Sequence, residues 1–287
     1  PSPNDFMEIG SQAEFLGIMT QVEMLATFFI HDGGDTSKWR LKGHGKQKFF
    51  EWLATWSIIM RDPAEYGFNP MPELPPLKIE QIEIETEPED ALFAEIASTL
   101  SERSKARRET LEERCKRAAD LISTLEGPVL VWCGLNAEGD LLESLLDDSV
   151  QVSGSDKDHI KEDRLIGFSD KKYRVLITKP SIAGFGMNWQ HCNQMVFVGL
   201  SDSFEQYYQA VRRCWRFGQK NDVNVWVITA DKEGAVVENI RRKQAQADLI
   251  MGEMAKIASM FFKGFDSARN ELRSYAPKKR APKPNFK

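Results

Sequence analysis

Five short apolar runs follow Gly127-Pro128: Val129 to Cys133, Val150 to Val152, Val175 to Ile177, Met195 to Val198 and Val223 to Ile228. Runs this continuous offer water no polar face, so each reads as a strand covered on both sides. Long helical or loop segments separate most of them, and strands joined by such crossovers lie parallel. Residues 127–230 are therefore expected to form one α/β domain around a five-stranded parallel sheet.

The whole chain, 287 residues and 32.7 kDa, has room for one large domain or two ordinary ones. Its 41% hydrophobic content can fill a core. Lys and Arg number 38 against 43 Asp and Glu, a net charge of -5, so any nucleic acid must be held by local patches rather than by the overall field. Mean hydropathy is -0.43 and no apolar run approaches the roughly 20 residues that span a bilayer, so no membrane partner is expected. Cys115, Cys133, Cys192 and Cys214 form no CxxC pair and follow no secretory segment, which reads as reduced thiols in a cytoplasmic setting. The first residue is Pro1 rather than Met, and the chain is read as a piece of something longer.

Upstream, Phe15, Ile18, Met19, Val22 and Leu25, then Phe49, Leu53 and Trp56, predict two helical stretches around a turn-rich loop from His31 to Ser37. Pro63, Pro70, Pro72, Pro75 and Pro76 make residues 62–77 an extended connector. Leu77 to Glu85 alternates apolar and polar residues like a half-buried strand, and the acidic run between Ile79 and Glu95 reads as a solvated face. Phe93, Ile96, Ala97 and Leu100, then Leu111, Cys115, Ala118 and Ile122, mark helices, and Val236 to Phe261 marks a long C-terminal one. Arg273 to Lys287, basic and proline-rich without an acid, reads as a disordered tail. The expected divisions are 1–76, 77–126, 127–272 and 273–287.

Two segments could carry chemistry. Gln209, Arg213 and Arg216 stand at offsets that share one face of a helix, and two guanidiniums so placed clamp a tetrahedral phosphate. A solvated or acid-paired basic face is the competing reading. The other segment, Ile177-Thr-Lys179-Pro-Ser181-Ile-Ala183-Gly184-Phe185-Gly186-Met187-Asn188, follows a predicted strand. Gly184 and Gly186 permit close backbone approach, and a following helix N-terminus would aim amides at an anion; an ordinary tight turn explains a GxG as well.

The order strand, GxGxN, strand, QxxxRxxR, GQ resembles motifs V and VI of superfamily 2 helicases, and Arg213-x-x-Arg216-x-Gly218-Gln219 resembles their Swi/Snf-type branch. Val129 to Cys133 resembles the first strand of the second RecA-like domain. Val152-Ser153-Gly154 with Arg164 to Phe168 resembles the segment before motif V, and Gly234 to Lys243 the closing helix. Arg61 and Leu74-Pro75 resemble the segment linking the motor lobes, and Pro1 to Asp5 with Phe15 to Gly17 the tail of motif III in bacterial and phage members. The resemblance covers nearly the whole chain and is most specific in 175–220. Arg212 departs from it where an acid is usual, Trp215 where His is usual, and Pro180 shortens the Lys-to-Gly spacing of motif V. Gly43-His-Gly45-Lys46-Gln47 lacks the first Gly and the Ser/Thr of a P-loop, and no apolar strand ends in Asp-Glu.

The resemblance implies a RecA-like parallel sheet flanked by helices, with an N-terminal helical region and a long C-terminal helix. It implies an ATP-dependent helicase or translocase of bacterial or phage origin, inactive as this fragment because an N-terminal RecA-like lobe would supply the P-loop and hold Mg²⁺. ATP would lie between the lobes against Gly184, Gly186, Asn188 and Gln209, with Arg213 and Arg216 stabilising charge on the γ-phosphoryl group. Ser153, Gly154, Lys179 and Ser181 would contact the nucleic acid, double-stranded DNA being usual in this branch. Trp39, Arg40 and Lys42 interleave an aromatic with basic groups, which suits nucleic acid, although a surface loop reads as well. The alternative class is a RecA-like DNA- or protein-binding module without catalysis. His31, His44, His159 and His191 lack mutual ligand spacing, so no metal site is expected.

Overall fold

Aromatic packing organises the N-terminal stretch. In the computed structural model, which describes residues 6–32, 35–57, 62–66, 68–84, 108–201, 203–230 and 234–262, helices α1 (Ile9–Phe15) and α2 (Gln21–Phe28) lead into strands β1 (Phe29–Asp32) and β2 (Asp35–Leu41) and helix α3 (Lys46–Ala54). Helix α1 stops before Gly17, at φ +68°, and α2 restarts on a capping box between Thr20 and Glu23. This break divides the expected apolar stripe: Phe15 is 88% and Val22 77% exposed, while Met19 and Leu25 pack against a core of Ile9, Met24, Phe28, Phe29, Phe49, Phe50 and Leu53. Phe49 meets Phe28 and Phe29 edge to face at 5.4 and 5.6 Å, contacts worth about 0.5–1.5 kcal/mol each beyond burial. The loop expected from His31 to Ser37 is instead part of an antiparallel hairpin in which His31 pairs with Trp39, their rings 3.8 Å apart.

The chain then builds an α/β unit. Its elements are β3 (Leu77–Ile84), α4 (Leu111–Thr124), β4 (Val129–Trp132), α5 (Asn136–Leu145), β5 (Ser149–Gln151), α6 (Asp158–Ser169), β6 (Val175–Thr178), α7 (Pro180–Ala183), β7 (Gln194–Phe197), α8 (Phe204–Val211), β8 (Val223–Ala230) and α9 (Gly234–Phe262). The strands form one sheet, β3-β8-β7-β4-β6-β5, parallel throughout. The fold is thus a RecA-like parallel sheet flanked by helices. It holds six strands rather than five, because β3 pairs along its whole length with β8, from Leu77↔Val223 to Ile84↔Ala230. The apolar alternation slips at Glu80-Gln81, so Ile82 and Ile84 pack on the core while Ile79 is half exposed. Cys115, Ala118 and Ile122 of α4 and Leu142 of α5 cover Val129, Val131, Val175, Ile177 and Val196. Each such aliphatic burial contributes about 1.5–3 kcal/mol.

The two compact units comprise Phe6–Met71 with the chain from Ala247, and Pro72–Gln246. The expectations for Pro1 to Asp5, Arg61, Phe93 to Leu100 and the basic tail from Arg273 to Lys287 lie outside the described residues.

Helix α6 ends with Lys171 at φ +63°, the Lys172 amide reaching back to the Gly167 carbonyl at 2.8 Å, a left-handed stop that favours glycine. Lys171→Gly is expected to raise stability by about 0.5–1 kcal/mol, measured as the urea midpoint at constant m-value; a lower midpoint would show that the Lys171 side chain matters more than its backbone.

Candidate functional site

All strands being parallel, the loops after β4, β5, β6 and β7 emerge at one edge. The chain runs from β4 out to β5, back through β6, then across β4 to β7. This reversal of direction is where open α/β sheets form ligand crevices.

Gln209 lies on α8, but that helix ends at Val211. Arg213 and Arg216 therefore occupy the turns beyond it rather than sharing its face, and they converge by another route. Arg213 donates from Nε to the Gln209 carbonyl (2.9 Å), from Nη2 to Gln209 Oε1 (3.2 Å) and from Nη1 to the Met187 carbonyl (2.9 Å). Arg216 Nη1 reaches the same Met187 carbonyl at 3.4 Å, and the Trp189 amide donates to the Arg213 carbonyl at 2.9 Å. The GxGxN segment and the arginine turn are thus closed on each other. Arg213 is only 8% exposed; desolvation, then Arg216 and Arg212, pulls its pKa below the usual guanidinium value. No carboxylate pairs with Arg213 or Arg216 among the described residues. Two adjacent cations without a counter-ion leave this point favourable for an anion.

The Gly segment departs from its expected form. Pro180, Ser181 and Ala183 lie in the four-residue α7, capped by Lys179, and Gly184 to Asn188 follow this helix instead of preceding one. No helix N-terminus therefore points from Gly184 and Gly186 toward an anion; Pro180, pre-set for a first helical position, starts the helix early. Gly186 takes φ +81°, and a Cβ on Gly184 would stand 2.2 Å from the Pro180 carbonyl oxygen. Gly184→Ala is expected to cost about 1–3 kcal/mol through this backbone clash, read as a drop in Tm; an unchanged Tm would mean that the turn has room to relax.

Lys179 is half-buried and Ser181, Gly186 and Asn188 are exposed. The Ser153 amide donates to Asp156 Oδ2 at 2.8 Å, and Arg164 holds both Asp156 and the Gln151 carbonyl, so Ser153-Gly154 is a braced turn. In the N-terminal unit Lys42 donates to the Ala26 and Thr27 carbonyls at 2.9 and 2.8 Å; it closes the end of α2, while Arg40 is exposed. Phe185 and Phe217, each followed by a positive-φ glycine, are 53% and 67% exposed.

Residues 107–218 match the helicase conserved C-terminal domain. That span runs from the start of α4 through the arginine turn. Among solved structures, the chain is similar to the C-terminal part of the Fun30 ATPase domain, at 19% identity over 49% of this chain and 53% of that one, with a TM-score of 0.41. It is also similar to the C-terminal domain of the DEAD-box protein Dbp5, at 15% identity over 52% of this chain and 91% of that one, with a TM-score of 0.42. The chain spans about half the length of the first of these. No curated protein matches it in sequence.

Within the matched span two features escape sequence reasoning. Arg114 of α4 and Glu138 of α5 are wholly buried and paired at 2.8 Å. Glu138 Oε2 also accepts the Gly134 and Leu135 amides, at 2.7 and 2.9 Å, while Arg114 donates to the Val198 carbonyl and Thr110 Oγ1. The pair thereby fixes the loops after β4 and β7 at the crevice edge. Arg114 stands inside the stripe Leu111, Cys115, Ala118, the one available signal, since a charge on a core face needs a buried partner. The second feature is Trp215, whose indole bonds Pro75. All four cysteines are buried and free; burial and then Glu138 raise Cys115 to about 12, and burial lifts Cys133 and Cys214 well up, so these are inert core thiols. A cavity of about 570 Å³, lined in part by Asp148, Lys171, Arg174 and His191, opens where β4, β5 and β6 begin, at the opposite edge of the sheet.

Proposed function

We propose that this chain supplies the second motor lobe of a DNA-dependent ATPase of superfamily 2, in the Swi/Snf-like branch, working as a helicase or translocase. The observation that carries the reading is the convergence of Arg213 and Arg216 on the Met187 carbonyl, with Gln209 accepting from Arg213 and both guanidiniums unpaired by any described acid, inside the segment that matches the helicase C-terminal domain. A triphosphate fits that charge. Arg216, half-buried and held by a single 3.4 Å bond, is free to swing to a γ-phosphoryl group and to stabilise the charge spread over its oxygens in the transition state. Arg213, with three donors engaged, sets the turn, and Gln209 orients Arg213. Gly184, Gly186 and Asn188 line the nucleotide side of the cleft. Mg²⁺ would be held by the lobe that carries the P-loop and would neutralise phosphate charge there; no cluster of three ligating side chains that could hold a metal occurs among the described residues here.

Duplex DNA would run along the crevice edge, with Lys179, Ser181 and the Ser153-Gly154 turn as phosphate contacts. In the N-terminal unit Trp39, packed on His31, and Arg40 are further candidates, while Lys42 is committed to α2. The reading is tested by assaying this chain alone and then with a P-loop lobe. The chain alone is expected to show no ATP turnover, and the joined protein turnover stimulated by duplex DNA. Turnover by the chain alone would overturn the half-site assignment; a joined protein that binds DNA without hydrolysing ATP would favour a binding module.

A further inference from the structure

We infer that Trp215 is a positioning residue that ties the proline connector to the arginine turn, so that the direction of the chain entering the α/β unit sets where Arg213 and Arg216 stand. The inference rests on the phosphate-binding reading of these arginines. Trp215 lies between them in sequence, and its indole Nε1 donates to the Pro75 carbonyl at 2.8 Å. The next carbonyl, that of Pro76, accepts the Val223 amide at the start of β8 at 2.9 Å. Two consecutive carbonyls thus serve the arginine turn and the sheet.

The segment that carries them is stiff. Pro72, Pro75 and Pro76 fix their own φ and restrict the residues before them, so the Pro75 carbonyl is placed by the course of the whole segment. The α/β unit begins at Pro72, which makes this segment the one through which the chain arrives. The opposite side of the link is equally specified. The Arg212 guanidinium sits 5.1 Å from the Trp215 ring and 5.7 Å from the Tyr208 ring, and its Nη1 donates to the Trp215 carbonyl at 3.3 Å. This cation held against two aromatic faces orients the indole toward Pro75. Trp215 is fused to a backbone whose flanking side chains, Arg213 and Arg216, both bond Met187. A shift of Pro75 is therefore passed through one hydrogen bond to the turn that carries both guanidiniums.

Trp215→Phe keeps an aromatic face for Arg212 and removes the indole N–H together with part of the ring, while Pro75→Gly keeps the carbonyl and frees the connector. Hydrogen exchange on the 287-residue chain reads the link directly. With one hydrogen bond lost, amides at 73–79 and at 212–219 should both exchange about two- to tenfold faster in Trp215→Phe. Pro75→Gly should loosen 212–219 as well, and the double variant should go no further than Trp215→Phe. A rise confined to 212–219, or effects that add in the double variant, would overturn the link. In the protein joined to a P-loop lobe, Trp215→Phe should lower kcat several-fold with KM unchanged. If exchange couples the two segments and kcat stays at the wild-type value, the positioning role falls. If Arg216→Ala leaves hydrolysis unchanged, the reading of the arginines falls instead, and the exchange result still decides whether the connector and the turn are linked.

Discussion

Arg216→Ala, in a protein joining this chain to a P-loop lobe, is expected to lower ATP hydrolysis by about 10³–10⁵-fold, the range for arginines that neutralise a γ-phosphoryl transition state. Nucleotide binding should persist, because the P-loop lobe supplies most of the ground-state contacts; the loss should therefore fall on kcat. Arg216 makes only a 3.4 Å bond to Met187, so Tm should move little. Arg213→Ala differs in a way that separates the two roles. Its side chain, 8% exposed, makes three bonds to Gln209 and Met187, and hydrogen bonds to a charged group contribute about 1.5–3 kcal/mol each. Arg213→Ala should thus lose hydrolysis and also unfold several degrees lower. Arg213→Lys should not restore it, since one ammonium cannot span the Gln209 carbonyl, its amide and the Met187 carbonyl. Steady-state kinetics with calorimetry on the same preparations reads both effects. Unchanged hydrolysis in Arg216→Ala would remove it from the reaction, and a Tm loss equal in both variants would refute the division of roles.

What the sequence made legible follows from which signals are local. Short runs such as Val129 to Trp132 are buried at every position, so composition alone located them. β3 was legible as a strand, but its place in the sheet was not, because its partner, β8, lies far along the chain. The stripe through Phe15 and Val22 misled for the converse reason: the periodicity is real, but Gly17 and the Thr20 cap divide it between two helices, and periodicity carries no phase across a break. In the arginine segment the residue types were legible and the conformation was not. Spacings of four and seven imply one helix face only while the helix lasts, and α8 ends at Val211. Convergence depends on the Met187 carbonyl, whose place is set by a loop with two glycines. The bond from Trp215 to Pro75 spans most of the α/β unit, and no local pattern announces it.

The other large effect lies beneath the crevice rather than in it. Glu138→Ala is expected to destabilise the α/β unit by about 3–5 kcal/mol, because it takes from a fully buried Arg114 the carboxylate that pairs with it at 2.8 Å. Exposed pairs such as Lys116–Glu112 give no comparable loss, because solvent screens them. The cost should exceed that of a simple cavity, since the Gly134 and Leu135 amides lose their acceptor in the same step. Arg114→Met combined with Glu138→Leu removes both charges and should destabilise by less than the sum of the single changes, a coupling of at least about 1 kcal/mol in a double-mutant cycle. It should fall short of neutrality, because the Val198 carbonyl and the two amides would remain unpartnered. Gly199→Ala attacks the same point from the loop after β7: its Cβ would stand 2.9 Å from both carboxylate oxygens of Glu138, so it should reproduce part of the loss in wild type and little of it in the Glu138→Leu background. Strictly additive energies across these variants would show that Arg114, Glu138 and Gly199 contribute separately, and the two crevice loops would then have no shared anchor.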